Sequence, residues 1–529
     1  MNLLKDTWLP VIRQNGSLGE PEKIAIWQLL DDYNSNPVTD IVAYRPDFRN
    51  AIYQLLIGIV QVTALPEDEE HWSDLYHKPW APQEFKEKVL RFEHCFEIDS
   101  AGPAFMQDFG PIEGFKEETL GNLFINLPAN EHYMVADAAK HEKGAPQQIN
   151  PYWAAVALHT LQTFAPSGGR GHRVGLRGGG PLTTILIPDG DGCSLWHKIW
   201  LNIICEDTIP QLTGDISKAD ISDMFPWMKP TKISENGDQL FAEECHPFHM
   251  YFGMPRRIRL VFHDTPGECD LTGIQSSKMV KKYLTRHSGN NYNGVWQHPL
   301  NAYGFDPKKP DEPPYSKKPT AGGITYRYWA TLACRAENVI PAFIIKLSQE
   351  SAYRRAVIKE QGATVWAAGY NMNNMKAECW YDATMPVYPF DPKTAEQVSA
   401  FIQELISATQ DIANSVKMKV KNAWFNSPKD AKGDMSFVES AFWQNTEPDF
   451  YNLLRELSEN PESAVLKNKL VEQWMVILSV QAYKLFEQWA MAQQEDGLDM
   501  KRVIKARIDL DKSVGKTKKQ LKKMISSVE

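Results

Sequence analysis

Residues 164–186 read FAPSGGRGHRVGLRGGGPLTTIL, and this stretch sets the order of elements around it. Seven glycines and two prolines lie among Arg170, His172, Arg173 and Arg177. A backbone free of side chains can approach a partner closely while cations stand on either side. Before it, residues 150–164 carry Trp153, Val156, Ala157, Thr160 and Leu161 at helical spacing, and after it residues 181–188 form a short β-rich run. The loop therefore leaves a helix and enters a strand, the reverse of a phosphate loop, and a helix C-terminus does not attract anions. No Lys-Ser/Thr pair follows, and Gly169, Gly171 and Gly175 lack dinucleotide-fingerprint spacing. The expectation is a close-approach loop that meets nucleic acid or another subunit. The alternative is a glycine-rich turn packed only against its own domain.

A chain of 529 residues is too long for one core, so two or three domains are expected. With 43 % hydrophobic and 23 % charged residues it has a globular rather than a disordered composition. The net charge of −9 argues against indiscriminate coating of nucleic acid but leaves room for local basic tracks. Seven scattered cysteines without a CxxC pair suit a reducing compartment, and no signal-peptide core or membrane-length apolar run is present. The expectation is a cytoplasmic protein without a membrane partner.

Residues 7–12 followed by Asn15-Gly16 read as a strand and a tight hairpin turn. Ile52, Leu55, Leu56, Ile59 and Val62 mark a buried helix over 48–64, and residues 85–96 a second, amphipathic one. After LFINLP (123–128) some twenty polar residues intervene before the helix at 150. Phe124 either anchors that loop in the core or projects, with Asn126, toward an unpaired base. In YFGMPRRIRLVF (251–262) a strand would put Arg257 and Arg259 together on a solvated face. Lys278, Lys281, Lys282, Arg286 and His287, with Tyr283 and Tyr292 and the turn Gly289-Asn290-Asn291, suggest a basic finger reaching for a groove; a solvated surface loop is the alternative. WAAGYNMNNMKAECW (366–380) is unsuited to a good helix or strand and reads as a hairpin-like tip. There Met375, flanked by Asn373, Asn374 and Lys376, has the make-up of a wedge between bases; an ordinary loop is the bland reading.

From Lys393 the β signal fades and four helical stretches follow: 393–425, 435–459 with a break at Pro448, 463–493 and 498–528. Short connections between long amphipathic helices imply a four-helix bundle. The predicted fold is α+β: a large mixed α/β N-terminal domain, 1–392, followed by an all-α four-helix bundle, 393–529. The last helix is rich in lysine, with Lys518, Lys519 and Lys522 among ten basic residues, which suits either a solvated face or contacts with a phosphate backbone.

Catalytic constellations are missing from the sequence. It contains no HExxH and no GxSxG, and Leu510 stands where Gly515-Lys516-Thr517 would need the first glycine of a phosphate loop. Cys245, His246, His249, His263 and Cys269 have ligand chemistry, but their spacing matches no structural zinc module. No cofactor, metal or catalytic residue is assigned. The competing class is a metal-dependent nucleic-acid-processing enzyme using His246, His249 and His263.

Several segments together resemble the CasA family, the large subunits of the type I-E CRISPR surveillance complex called Cascade. They are MNLLKDTWLPV (1–11), GPAFMQD (102–108), LFINLP, GLRGGGPLTT (175–184), YFGMPRRIRL with CDLTG (269–273), NYNGVWQHPL (291–300) and WAAGYNMNNMKAECW. The resemblance implies a non-catalytic subunit that binds the protospacer-adjacent motif of double-stranded DNA from the minor groove, starts unwinding and recruits a separate helicase-nuclease. It further implies that Phe124 and Asn126 dock on the 5′ end of the CRISPR RNA and a neighbouring Cascade subunit. Gly168, Gly169 and Gly171, with Arg170 among them, would lie against the motif, while Asn374 and Met375, between Asn373 and Lys376, would form the wedge. Lys282 and Arg286 are the two candidates for a groove-reading cation.

Overall fold

The computed structural model describes residues 1–17, 19, 21–125, 145–166, 171–373, 376–433, 435–491 and 499–526. Its contacts divide into two compact units, Met1–Pro319 with Ala342–Asp382, and Thr320–Pro341 with Ala383–Glu529.

The first unit opens with β1 (Leu9–Arg13), β2 (Glu22–Ile24) and β3 (Val38–Ile41), an antiparallel sheet with β1 in the middle. Asn15-Gly16 does not close a two-residue hairpin, because the ladder begins at the Val11 and Glu22 pair and leaves a longer connection. Helix α1 (Pro46–Thr63) begins two residues earlier than its periodicity suggests, since Pro46 fits the first turn, where no N–H is needed. It is buried on nearly every side, and at Gly58 a Cβ would stand 3.1 Å from both Phe252 Cζ and Tyr251 Cβ. The second predicted helix is shorter than expected: it spans Pro82–Leu90 and gives way to a single tight turn at Glu93–Cys95.

Farther along come β4 (Lys116–Thr119), helix α2 (Pro151–Phe164), β5 (Thr183–Pro188), β6 (Arg257–His263), β7 (Met279–Arg286), β8 (Ala363–Asn373) and β9 (Lys376–Val387). Asn150 caps α2 by accepting from the Tyr152 N–H at 2.8 Å, and α2 packs against α1. Two three-stranded sheets result, ordered β4-β7-β6 and β5-β8-β9. The second contains the helix-loop-strand passage expected of 150–188. It also overturns one expectation. Residues 366–380 belong to two long strands, since residues 365–371 are buried on both faces and packing overrides the weak β propensity of Asn, Gly and Ala.

The second unit is dominated by α3 (Pro392–Trp424), α4 (Ser436–Glu459), α5 (Ala464–Ala490) and α6 (Met500–Ser526). Helix α3 packs against each of the other three, so the predicted α+β class with a helical bundle at the C-terminal end holds. Pro448 does not break α4. Tyr326 stacks on Phe450 at 4.2 Å, meets Trp443 at 4.7 Å and shares a 2.8 Å hydrogen bond with Thr446, which holds both sides of the proline in line. On α6, Val503, Ala506, Leu510, Val514 and Leu521 face inward at three-to-four spacing. Among the described residues, no helix is long and apolar enough to cross a membrane.

Candidate functional site

The glycine-rich stretch behaves as two halves. Gly168, Gly169 and Arg170 lie outside the described residues. Gly171, at φ +85°, accepts from the Ser288 N–H at 2.8 Å, and a Cβ there would stand 2.8 Å from His287 Cβ. The other half packs inward. A Cβ on Gly179 would stand 3.1 Å from Pro166 Cα, and one on Gly180, at φ +60°, 2.6 Å from Met372 Cε. Only glycine fits where a left-handed backbone crosses a strand this closely. Two of the flanking cations, Arg173 and Arg177, are bonded inward rather than facing outward as the composition suggests. Arg177 is buried and donates to Thr183 Oγ1 at 3.0 Å and Gln54 Oε1 at 2.7 Å, and burial pushes its guanidinium down to about 10. Arg173 donates to Ser234 Oγ at 3.0 Å and to the Ser234 carbonyl at 3.1 Å.

The hairpin shares its sheet with this stretch. Ala363 to Ala368 of β8 pair in antiparallel register with Pro188 to Thr183 of β5. Asn374 and Met375 fall outside the described residues, between the ends of β8 and β9. Of their neighbours, Asn373 donates to Glu378 Oε1 at 2.6 Å, and Lys376 is exposed at the start of β9. At the root of the hairpin Tyr370 donates to Asp47 Oδ2 at 2.7 Å, and Trp380 packs on Phe164, at the end of α2, at 5.2 Å.

The same carboxylate reaches the third candidate region. Arg45 donates to both Asp47 oxygens at 2.9 Å and to the Ile125 carbonyl at 3.0 Å, and its guanidinium lies over the Phe124 ring at 5.6 Å. Phe124 is 4 % exposed and 5.6 Å from Phe48, so it anchors in the core rather than projecting. Asn126 lies outside the described residues. Nothing in local periodicity marks Arg45 or Asp47, because the segments their pair joins, at Ile125 and Tyr370, are remote in sequence.

The basic segments need correction. Residues 279–286 are the middle strand of a sheet rather than a finger, and the turn after it is tucked in, Asn290 donating to the Met254 carbonyl at 2.9 Å. Lys282 is exposed and pairs with Glu117 at 2.6 Å across the β4-β7 ladder, while Arg286 pairs with Glu235 at 3.1 Å and donates to the Glu113 carbonyl at 2.7 Å. Arg257 and Arg259 do not form a solvated face. Arg257 is 2 % exposed and pairs with Asp108 at 2.5 Å, and Arg259 donates to the Asp108 carbonyl at 2.7 Å. The GPAFMQD and YFGMPRRIRL segments are thus joined by a buried salt bridge. Lys318, which sequence reasoning passed over, lies where a Cβ on Gly178 would meet its Nζ at 3.2 Å, and no carboxylate pairs with it among the described residues. In the second unit Lys518, Lys519 and Lys522 are exposed, with no ion-pair partner among the described residues.

Two of the three histidines proposed for an enzyme are engaged elsewhere, while Nε2 of His263 is buried without a hydrogen-bond partner among the described residues. His249 Nδ1 lies 3.1 Å from the Asp223 carbonyl and Nε2 lies 3.0 Å from the Tyr292 hydroxyl, which uses both ring nitrogens of a neutral imidazole; burial brings it down to about 4. His246 Nδ1 accepts from the Phe248 N–H at 3.1 Å. Among the described residues no group of three His, Cys, Asp or Glu side chains is placed to hold a metal ion.

Solved structures share this architecture. Thermobifida fusca Cse1 is 14 % identical with a TM-score of 0.69, covering 99 % of this chain and 98 % of that one. Thermus thermophilus CasA is 15 % identical with a TM-score of 0.67, covering 98 % and 99 %. A chain of a CRISPR RNA-guided surveillance complex is 15 % identical with a TM-score of 0.68, again covering 98 % and 99 %. At these identities the likeness speaks for the fold. The sequence itself matches the family model of CRISPR-associated protein Cse1 over residues 2–485, and the chain belongs to that family.

Proposed function

We propose that this chain is the non-catalytic large subunit of a CRISPR RNA-guided surveillance complex, reading the protospacer-adjacent motif of double-stranded DNA from the minor groove. In this reading residues 1–392 carry the DNA-reading elements and residues 393–529 form the bundle. The observation that carries it is the shared sheet: the glycine stretch and the β8-β9 hairpin are neighbours, locked where Gly180 meets Met372. A loop that reads a motif and a wedge that opens the adjacent base step must act within a few base pairs of each other, and one sheet supplies that constraint.

Gly168, Gly169 and Gly171 keep side chains out of a narrow groove, and Arg170 stands among them. The minor groove has a degenerate donor and acceptor pattern, so backbone amides and one cation give permissive recognition while guide pairing supplies sequence specificity. Lys318 joins Lys282 and Arg286 as a candidate for that cation, and it is favoured because the other two are paired with carboxylates. Asn373, Asn374, Met375 and Lys376 act as the wedge. Phe124, set in the core, supports the segment that carries Asn126 toward the CRISPR RNA 5′ end and a neighbouring subunit. Lys518, Lys519 and Lys522 contact the phosphate backbone, and a separate helicase-nuclease is recruited for cleavage.

The test is a gel-shift titration with duplexes that carry or lack the motif. Gly169→Asp is expected to weaken binding of the motif-bearing duplex and leave assembly with CRISPR RNA and sister subunits intact. Unchanged affinity would overturn the reading of the loop. Met375→Ala should slow strand opening, followed by 2-aminopurine fluorescence beside the motif, more than it slows first binding; normal opening would remove the wedge.

A further inference from the structure

Arg256 reaches both flanks of the glycine-rich loop with one side chain. Its Nη2 donates to the Pro166 carbonyl at 2.5 Å, its Nε donates to the Arg173 carbonyl at 2.9 Å, and its Nη1 lies 3.0 Å from His172 Nδ1. Its own backbone is fixed as well. The Arg256 N–H donates to Gln162 Oε1 at 2.9 Å, and Gln162 Nε2 donates back to the Arg256 carbonyl at 3.0 Å, which ties the residue to the last turn of α2. On the far flank, His172 meets His287 edge to face at 4.5 Å, and Arg173 is held by Ser234. No carboxylate pairs with Arg256 among the described residues. Its side-chain partners are the two carbonyls and the imidazole of the loop flanks, a planar fork of donors matched to a fixed set of acceptors.

We propose that Arg256 is a positioning residue that sets the separation of residues 166 and 173, the two ends from which the motif-reading residues between them meet a DNA groove. This rests on the motif-reading function proposed above. A loop held at both ends before binding loses less conformational freedom on docking, so the clamp raises affinity without touching the ligand. Lysine cannot replace it, because one ammonium cannot span three acceptors on two strands of chain.

The test uses the full-length chain with Arg256→Gln, Arg256→Lys and His172→Ala. Amide exchange at Ser288, whose N–H donates to the Gly171 carbonyl at 2.8 Å, is expected to rise about tenfold or more in both Arg256 variants, as befits the loss of charge-assisted bonds, while exchange within α2 stays unchanged. His172→Ala, which leaves the guanidinium in place, should give a smaller rise and supplies the same test should the Arg256 variants fail to fold. Affinity for the motif-bearing duplex should fall about tenfold in both Arg256 variants with the salt slope unaltered, since no phosphate contact is lost. Unchanged exchange in every variant overturns the proposal. Full recovery of exchange and affinity by Arg256→Lys also overturns it, because charge would then matter rather than span. Faster exchange in a protein whose wild type does not distinguish motif-bearing duplex sustains the clamp and refutes the functional reading on which its purpose rests.

Discussion

Three arginines of the first unit and three lysines of α6 follow opposite rules. Arg177, Arg256 and Arg257 are turned inward, onto carbonyls, amides and one buried carboxylate, and they hold chain segments in place. Lys518, Lys519 and Lys522 stand in water without partners among the described residues. In the sequence Arg177 and the α6 lysines stand in segments that suit nucleic-acid contacts, whereas Arg257 reads as part of a solvated strand face. The difference teaches that an arginine beside a glycine loop is as apt to build the loop as to touch what the loop binds, because its fork can satisfy several backbone carbonyls at once.

The comparison can be broken most severely at Arg257. Arg257→Met leaves Asp108 buried without its cation and should cost about 3–5 kcal/mol in denaturant unfolding. A loss under about 1 kcal/mol would class this pair with the exposed ones. Acid supplies the next test. His159 and His249 are buried and held at about 4, against an ordinary histidine value near 6.5. The unfolded chain takes up protons first as pH falls, so stability should decline from about pH 6.5 to pH 4 and then level, each imidazole contributing on the order of 3 kcal/mol at most. A flat profile over that window would mean that these rings are not held neutral.

A smaller effect is expected at the junction of α1 and the hairpin. Tyr370→Phe removes one hydrogen bond to Asp47 but leaves the paired Arg45, so about 1–2 kcal/mol should be lost. If the junction couples the two regions, Asp47→Asn should also speed amide exchange at Phe124, whose N–H donates to the Gly121 carbonyl at 3.1 Å, and unchanged exchange there would separate them. The smallest effect on stability belongs to α6. Changing Lys518, Lys519 and Lys522 to Gln should move unfolding by no more than about 0.5 kcal/mol. It should nevertheless flatten the salt dependence of duplex binding, by up to about 0.9 per lysine in contact with a phosphate. An unaltered slope would assign that face to solvent.

Periodicity made much of the fold legible. The buried helix at 48–64, the capped helix that ends at Phe164, the strand after the glycines and four C-terminal helices all rest on spacing within short windows. What escaped was set from a distance. Arg257 looks like a residue on a solvated strand face until Asp108, 149 positions away, is beside it. Residues 279–286 look like a finger until β4 and β6 flank them, and Pro448 looks like a break until Tyr326 stacks across it. The candidate site divides in the same way. The glycine and Asn-Met segments are marked by composition, whereas Arg45, Asp47, Arg256 and Lys318 carry no local signature, because their importance comes from what surrounds them.

Gly180 gives the hairpin a mechanical property. Its N–H is bonded to the Phe164 carbonyl at 3.1 Å, and its α-carbon is pressed against β8 where no larger residue fits. The end of α2, the glycine stretch and the hairpin therefore meet at one hard stop. Bending β8 toward the glycine stretch would press on the end of α2, which ties the stiffness of the hairpin's base to that helix.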